Sequence, residues 1–136
     1  MKSSMKDLFS VKGKTALVTG GSRGIGEMIA AGYLANGVKV YISSRKSDIC
    51  DATAKRLMKE YGGECISIPT DLSTEEGIEF LVTEFSCREK GLDILVNNAG
   101  ASWGEPLEQY SIKGWDKVMN TNVKGVFFLT QKLLPF

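Results

Sequence analysis

The chain has 136 residues, enough to bury a core and at most one domain. Its composition is that of an ordinary soluble protein, 43% hydrophobic and 24% charged, and a net charge of +1 gives no case for nucleic acid or a membrane surface as partner. It contains no histidine, so triads and metal sites built on that residue are excluded.

Met1–Asp7 carries lysines with no apolar run behind them and is not expected to be a secretory signal. Residues 1–13 are expected to be a loose lead-in, with Leu8, Phe9 and Val11 tucked against a sheet edge. Lys14–Val18 is short, apolar and partly β-branched, and reads as a buried strand. Thr19-Gly20-Gly21-Ser22-Arg23-Gly24-Ile25-Gly26 leads from it into a helix that ends near Asn36-Gly37. Val38–Ile42 is a second strand. Ser47 is expected to cap a helix to about Tyr61, with Asp48 and Asp51 in the first turn, where the helix dipole favours acids. Gly62-Gly63 ends it, and Glu64–Ile68 is a third strand. Ser73-Thr74-Glu75-Glu76 has the form of a capping box and opens a helix to about Arg88. Leu92–Val96 is a fourth strand, and Ser111 caps a long final helix that runs to Leu134. No run approaches the roughly 18 apolar residues of a membrane span. Cys50, Cys65 and Cys87 are odd in number and away from metal-ligand spacing, so they read as reduced thiols of a cytoplasmic protein, with no metal.

Strands alternating with helices at this spacing imply an α/β fold, a doubly wound parallel sheet with right-handed crossovers and strand order 3-2-1-4. Ligands of such a sheet sit beyond the carboxyl ends of its strands. After the first strand, Gly20 allows a tight turn, Gly24 lets backbone approach a pyrophosphate, and Gly26 lets helix and strand pack closely, with the helix N-terminus facing the anion. The other reading is an ordinary glycine-rich loop. After the second strand, Ser43-Ser44-Arg45-Lys46 has no acid to accept from a ribose 2′-hydroxyl. Arg45, helped by Arg23, instead offers a planar fork to a 2′-phosphate, which favours NADP over NAD. A solvated basic pair is the alternative. After the third strand, Asp71 either accepts from an adenine amino group or is a turn residue before a helix cap. After the fourth, Asn97-Asn98-Ala99-Gly100 is either an Asn-Gly turn or a pair of amides beside something flat that approaches Ala99 and Gly100.

Taken together, Thr19–Gly26, Asp71-Leu72, Asn97–Gly100 and Asn122-Val123-Lys124-Gly125 resemble, in kind and order, the motifs of the short-chain dehydrogenase/reductase family, from about Lys12 to Pro135. The resemblance implies a Rossmann-type fold and NADP(H) as cofactor. It implies that Gly20, Ser22, Arg23, Gly24, Ile25 and Gly26 hold the pyrophosphate and ribose, and that Arg45 faces the 2′-phosphate. Asp71 and Leu72 would bracket the adenine, and Asn98, Ala99 and Gly100 would line the nicotinamide ribose. Asn122, rather than nearby Asn120, matches the family's catalytic asparagine, which holds a water in a proton relay. Within the family, Ser102-Trp103-Gly104 after the Asn-Asn-Ala-Gly motif is similar to the 3-oxoacyl-thioester (β-ketoacyl) reductase branch, the bacterial rhamnolipid-associated type included.

The family's chemistry also uses a Tyr-x-x-x-Lys pair with an upstream serine. Gly37, Arg45, Cys65 and Gly114 stand four positions after the four tyrosines, and none is lysine. The expectation is therefore that residues 1–136 are the N-terminal dinucleotide-binding part of the domain, truncated after the fourth strand and the following long helix, with the catalytic half absent. The parent activity implied is NADPH-dependent reduction of a small-molecule ketone, a 3-oxoacyl thioester. The rival readings are a catalytically incompetent dinucleotide-binding fragment and a sugar or polyol dehydrogenase. The fourth strand is expected to be left as an exposed edge. The last helix is expected to expose Val118, Val126, Phe127, Leu129 and Leu133 and to mediate homo-oligomer formation.

Overall fold

The structure, a computed structural model, describes residues 5–136, so the first four residues of the expected lead-in lie outside the described residues. Four strands alternate with helices: β1 (Thr15–Thr19), α1 (Gly24–Ala35), β2 (Lys39–Ser43), α2 (Ser47–Tyr61), β3 (Cys65–Ser67), α3 (Glu75–Ser86) and β4 (Ile94–Val96). After β4 come α4 (Ile112–Met119), a π-helical turn (Asn120–Gly125) and α5 (Val126–Leu133). The strands form one parallel sheet in the order β3-β2-β1-β4, with Leu17 level with Tyr41 on one side and Leu95 on the other. This is the Rossmann-type α/β arrangement that the alternation implies.

The apolar strands bury both faces. Ala16, Val18, Val40 and Ile42 pack under α1 and α2 with Ala30, Leu34 and Leu57. Leu17 and Tyr41 pack under α3 and α5 with Leu81, Phe85, Leu129 and Leu133. Leu129 and Leu133 are therefore core, which corrects the expectation that the last helix exposes them; Phe127 on the opposite side is 61% exposed. The amphipathic helix satisfies the sheet with one face; Val118 and Val126 are half-buried, and the large apolar residues left outward from Ile112 on are Ile112, Trp115, Val123, Phe127, Phe128 and Leu134. At the other end, Val11 packs on the core, but Leu8 and Phe9 are 64% and 90% exposed rather than tucked against the sheet. As expected, β4 is an edge, paired among the described residues only with β1.

Two helix starts differ from expectation. Thr74, not Ser73, caps α3, its hydroxyl accepting from Gly77 N at 3.0 Å. Ser73 Oγ is already committed as a donor to Asp71 Oδ1 at 2.7 Å. Ser47 is the first helical residue of α2 rather than its cap, and no side chain caps that helix. Ser111 does cap α4, accepting from Gly114 N at 3.1 Å. The long final helix is interrupted by the π turn, which the apolar spacing does not reveal.

Away from the carboxyl ends of the strands, Glu89 joins two residues of β2. Tyr41 Oη donates to Glu89 Oε1 at 2.6 Å, and Lys39 Nζ lies 2.6 Å from the same carboxylate. Burial, then the bond to Glu89, pushes the Tyr41 hydroxyl up to about 12. The Glu89 hydrogen bond raises the Lys39 ammonium against the opposing effect of burial. Burial alone would raise the Glu89 carboxyl, but the Lys39 and Tyr41 bonds outweigh it and hold it below the ordinary range. Glu89→Leu leaves the Tyr41 hydroxyl unpaired and should cost about 2 kcal/mol of unfolding free energy at neutral pH, read from urea denaturation. A lowered carboxyl contributes stability above its unfolded value of about 4.3 and loses it as pH falls through the folded value, so the gap between variant and parent should close in acid.

Candidate dinucleotide site

β1 is followed by a crossover to one side of the sheet and is flanked on the other by β4, so the topological switch point lies between their carboxyl ends. A single hydroxyl holds that point together. Thr19 is buried, and its Oγ1 accepts from the N–H groups of Asn98 and Ala99, each at 3.0 Å, while donating to Val96 O at 3.2 Å. Asn98 returns the bond, its Nδ2 donating to Thr19 O at 3.0 Å and Gly20 O at 3.3 Å. Asn97 turns away and donates to Thr130 Oγ1 at 3.1 Å, tying the β4 exit to α5.

The glycine turn fits around this stitch. Gly20 has φ +64°, and a Cβ there would lie 2.8 Å from Asn98 Nδ2. Gly26 is buried against the Gly20 carbonyl, where a Cβ would overlap it. Gly24, at φ +57°, has open space where a Cβ would be. Arg23, the residue before α1, is extended, and no side chain caps the helix. Its first-turn N–H groups are thus left to an external acceptor at the positive end of the dipole. Gly21 was assigned no role by sequence, yet a Cβ there would lie 2.7 Å from Ile42 Cγ2, so this glycine seats the turn on β2. Thr53 of α2 also fixes the turn, donating to Ser22 O at 2.9 Å.

These ends enclose a crevice of about 350 Å³. Gly20, Ser22, Arg23 and Gly24 line it from the turn, Arg45 from the β2 end, and Asp71 and Leu72 from the β3 end. Asn98, Ala99 and Gly100 line it from the β4 end. The fold thus brings together ten of the residues singled out by sequence, all but three. Gly26 lies beneath the turn, Ile25 points to solvent, and Asn122 lines a neighbouring depression with Ala101 and Ser102. Sequence reasoning passed over Ser43, Ser44, Thr70, Ala101 and Thr121, which complete the lining. Position at a strand's carboxyl end was the available signal for the two serines. Ser43 Oγ and Ser44 Oγ are buried with no hydrogen-bond partner among the described residues. Arg23 and Arg45 take part in none of the ion pairs among the described residues.

Asp71 is a turn residue in the structure. Its Oδ1 accepts from Ser73 N at 3.0 Å as well as from Ser73 Oγ. Both bonds fall on one carboxylate oxygen, and the residue still borders the crevice. Asn122 sits in the π turn and grips the β4–α4 loop with both ends of its amide. Its Oδ1 accepts from Ala101 N and its Nδ2 donates to Ala101 O, each at 2.8 Å. Among the described residues no cluster of His, Cys, Asp and Glu could hold a metal, and no helix is long and apolar enough to cross a membrane.

The short chain dehydrogenase family pattern matches residues 14–136, and the chain belongs to the short-chain dehydrogenase/reductase family. Among curated relatives, it is 51% identical over 131 residues to the rhamnolipids biosynthesis 3-oxoacyl-[acyl-carrier-protein] reductase of Pseudomonas aeruginosa, covering 96% of this chain and 50% of that protein. It is 38% identical to gluconate 5-dehydrogenase of Gluconobacter oxydans, covering 92% of this chain and 48% of that one. Among solved structures, the RhlG/NADP active-site complex of Pseudomonas aeruginosa superposes with a TM-score of 0.87 at 53% identity, over 93% of this chain and 49% of that one. The L-sorbose reductase of Gluconobacter frateurii, complexed with NADPH and L-sorbose, gives 0.88 at 30% identity, over 93% and 48%. The chain spans about half the length of the curated relatives it matches.

Thr19→Val removes the acceptor shared by two N–H groups and should cost about 2–3 kcal/mol in urea denaturation, whereas Thr19→Ser should retain most of the stability.

Proposed function

We propose that this chain is the NADP(H)-holding part of a reductase that acts on a ketone, of the 3-oxoacyl thioester class. The observation that carries the cofactor reading is the charge of the crevice: Arg23 in the turn and Arg45 at the β2 end are in no ion pair among the described residues, and Ser43 and Ser44 at that end have hydroxyls without a hydrogen-bond partner among them, where an acid would be needed for an unphosphorylated ribose. The residues present fit such a dinucleotide. The uncapped α1 N-terminus and open Gly24 receive its pyrophosphate, and Arg45 with Arg23 takes its 2′-phosphate. Leu72 supplies an apolar wall for the adenine, and Asn98, Ala99 and Gly100 border the nicotinamide ribose. When bound, the dinucleotide supplies hydride to the carbonyl carbon. Asn122 holds Ala101 in place beside that end, and in this reading it orders a water for proton delivery. None of the tyrosines here stands four residues before a lysine, so the activity of this chain by itself is binding without turnover.

The thioester class rests on the 51% identity to a 3-oxoacyl reductase, against 38% to a gluconate dehydrogenase. Titration by the intrinsic fluorescence of NADPH tests the cofactor. The chain should bind NADPH more tightly than NADH, and Arg45→Asp should weaken NADPH roughly 10- to 100-fold while sparing or improving NADH. An unchanged preference would remove Arg45 from the phosphate site. With a 3-oxoacyl thioester added, the bound NADPH should persist; oxidation would show a proton donor that the reading does not contain.

We also propose that the chain forms homo-oligomers through the outward face of the last helical segment, where Phe127 and Phe128 stack edge-on with ring centroids 5.1 Å apart. Sedimentation equilibrium should show concentration-dependent association that Phe127→Asp weakens by about tenfold or more. A monomer at high concentration would discard the assignment.

A further inference from the structure

The loop between β3 and α3 rests on two bare Cα atoms from different helical segments. A Cβ on Gly77 of α3 would overlap the Asp71 carbonyl oxygen, and Thr70 Oγ1 donates to Gly77 O at 3.0 Å. A Cβ on Gly125, at the end of the π turn, would overlap the Leu72 carbonyl oxygen and lie 3.0 Å from Asn120 O. These neighbours are backbone atoms, which cannot rotate aside as a side-chain tip can. The glycine Cα hydrogens can instead approach the carbonyls as weak donors. Leu72 is thereby pressed between the crevice, which it borders, and the π turn beneath it.

The same turn faces two ways. Thr121 lines the dinucleotide crevice, and Asn122, the next residue, lines the neighbouring depression and grips Ala101 by two 2.8 Å bonds. One turn of helix therefore joins the wall at Leu72 to the loop at Ala101. We propose that Gly125 is a positioning residue that makes the Leu72 loop and the Asn122 latch a single body, so that filling the adenine end of the crevice tightens the grip on Ala101. This rests on the NADP(H) reading of the crevice. No atom of Gly125 needs to touch the dinucleotide. Its role is to let two backbone segments come close enough to share a displacement, and closely packed backbone transmits displacement rather than absorbing it.

The test uses the isotopically labelled chain and adenosine 2′,5′-bisphosphate, which carries the adenine and the 2′-phosphate but no nicotinamide. Amide hydrogen exchange at Ala101 is read by NMR with and without this probe. In the parent chain, and in Gly104→Ala, where a Cβ meets nothing within 4 Å, the bound probe should slow exchange at Ala101 by about 5- to 20-fold. In Gly125→Ala that protection should vanish. Because coupling free energy is reciprocal, affinity for the probe should fall by the same factor. Asn122→Ala, which opens the latch without touching the Leu72 contact, should lower the affinity equally and supplies the answer if Gly125→Ala does not fold. Binding of the probe to the parent chain with Ala101 exchange unchanged would overturn the coupling and leave the cofactor reading intact. So would full protection in Gly125→Ala. No binding of the probe to the parent chain would overturn both.

Discussion

Two backbone N–H groups converge on the hydroxyl oxygen of Thr19, and the geometry of the crevice follows from that convergence. It holds the β4 exit against the end of β1, the one place in the sheet where neighbouring connections diverge. Asn98 reinforces it from the other side with its amide. The glycines of the turn are then required by proximity: at Gly20 and Gly26 the space for a Cβ is taken by Asn98, Ala99 or the turn's own backbone. Only Gly24 is bare toward the opening. The division of labour among glycines that look alike in sequence is thus steric at Gly20, Gly21 and Gly26 and one of access at Gly24.

The crevice gathers unsatisfied capacity at its phosphate-facing end. Among the described residues, an uncapped helix start, two arginines without carboxylate partners and two serine hydroxyls without hydrogen-bond partners all lie along one lining. The other two arginines, by contrast, are paired with carboxylates, as are some of the lysines. Arg56 pairs with Glu27 and Glu60, Arg88 with Glu84, and Lys132 with Glu79. The contrast matters more than the near-neutral total, because an anion experiences the local field and not the sum.

Strand order and the location of the ligand crevice were legible in the sequence because both follow from periodicity and connection rules. Four short apolar runs separated by helical spacing leave little freedom in topology. What was not legible depends on contacts between distant residues. Thr19 reads as the first residue of the glycine turn after a strand ending at Val18, and its role shows only when Asn98 and Ala99 are brought against it, 79 and 80 residues later. Ser73 and Thr74 are both plausible caps, and Asp71, by claiming one hydroxyl, decides between them. The π turn has no periodic signature, since it inserts itself into an otherwise helical run where Asn122 turns out to meet Ala101. Leu129 and Leu133 were misplaced because a helix with apolar residues on several sides does not declare which side meets the sheet.

The Lys39–Glu89–Tyr41 cluster lies away from the carboxyl ends of the strands, sharing no residue with the crevice lining. Substitutions without shared partners combine nearly independently. A lineage carrying this fold is consequently free to rewrite its phosphate-facing residues while one pole of the sheet keeps the scaffold upright. Changes in ligand preference need not be accompanied by compensating changes in resilience.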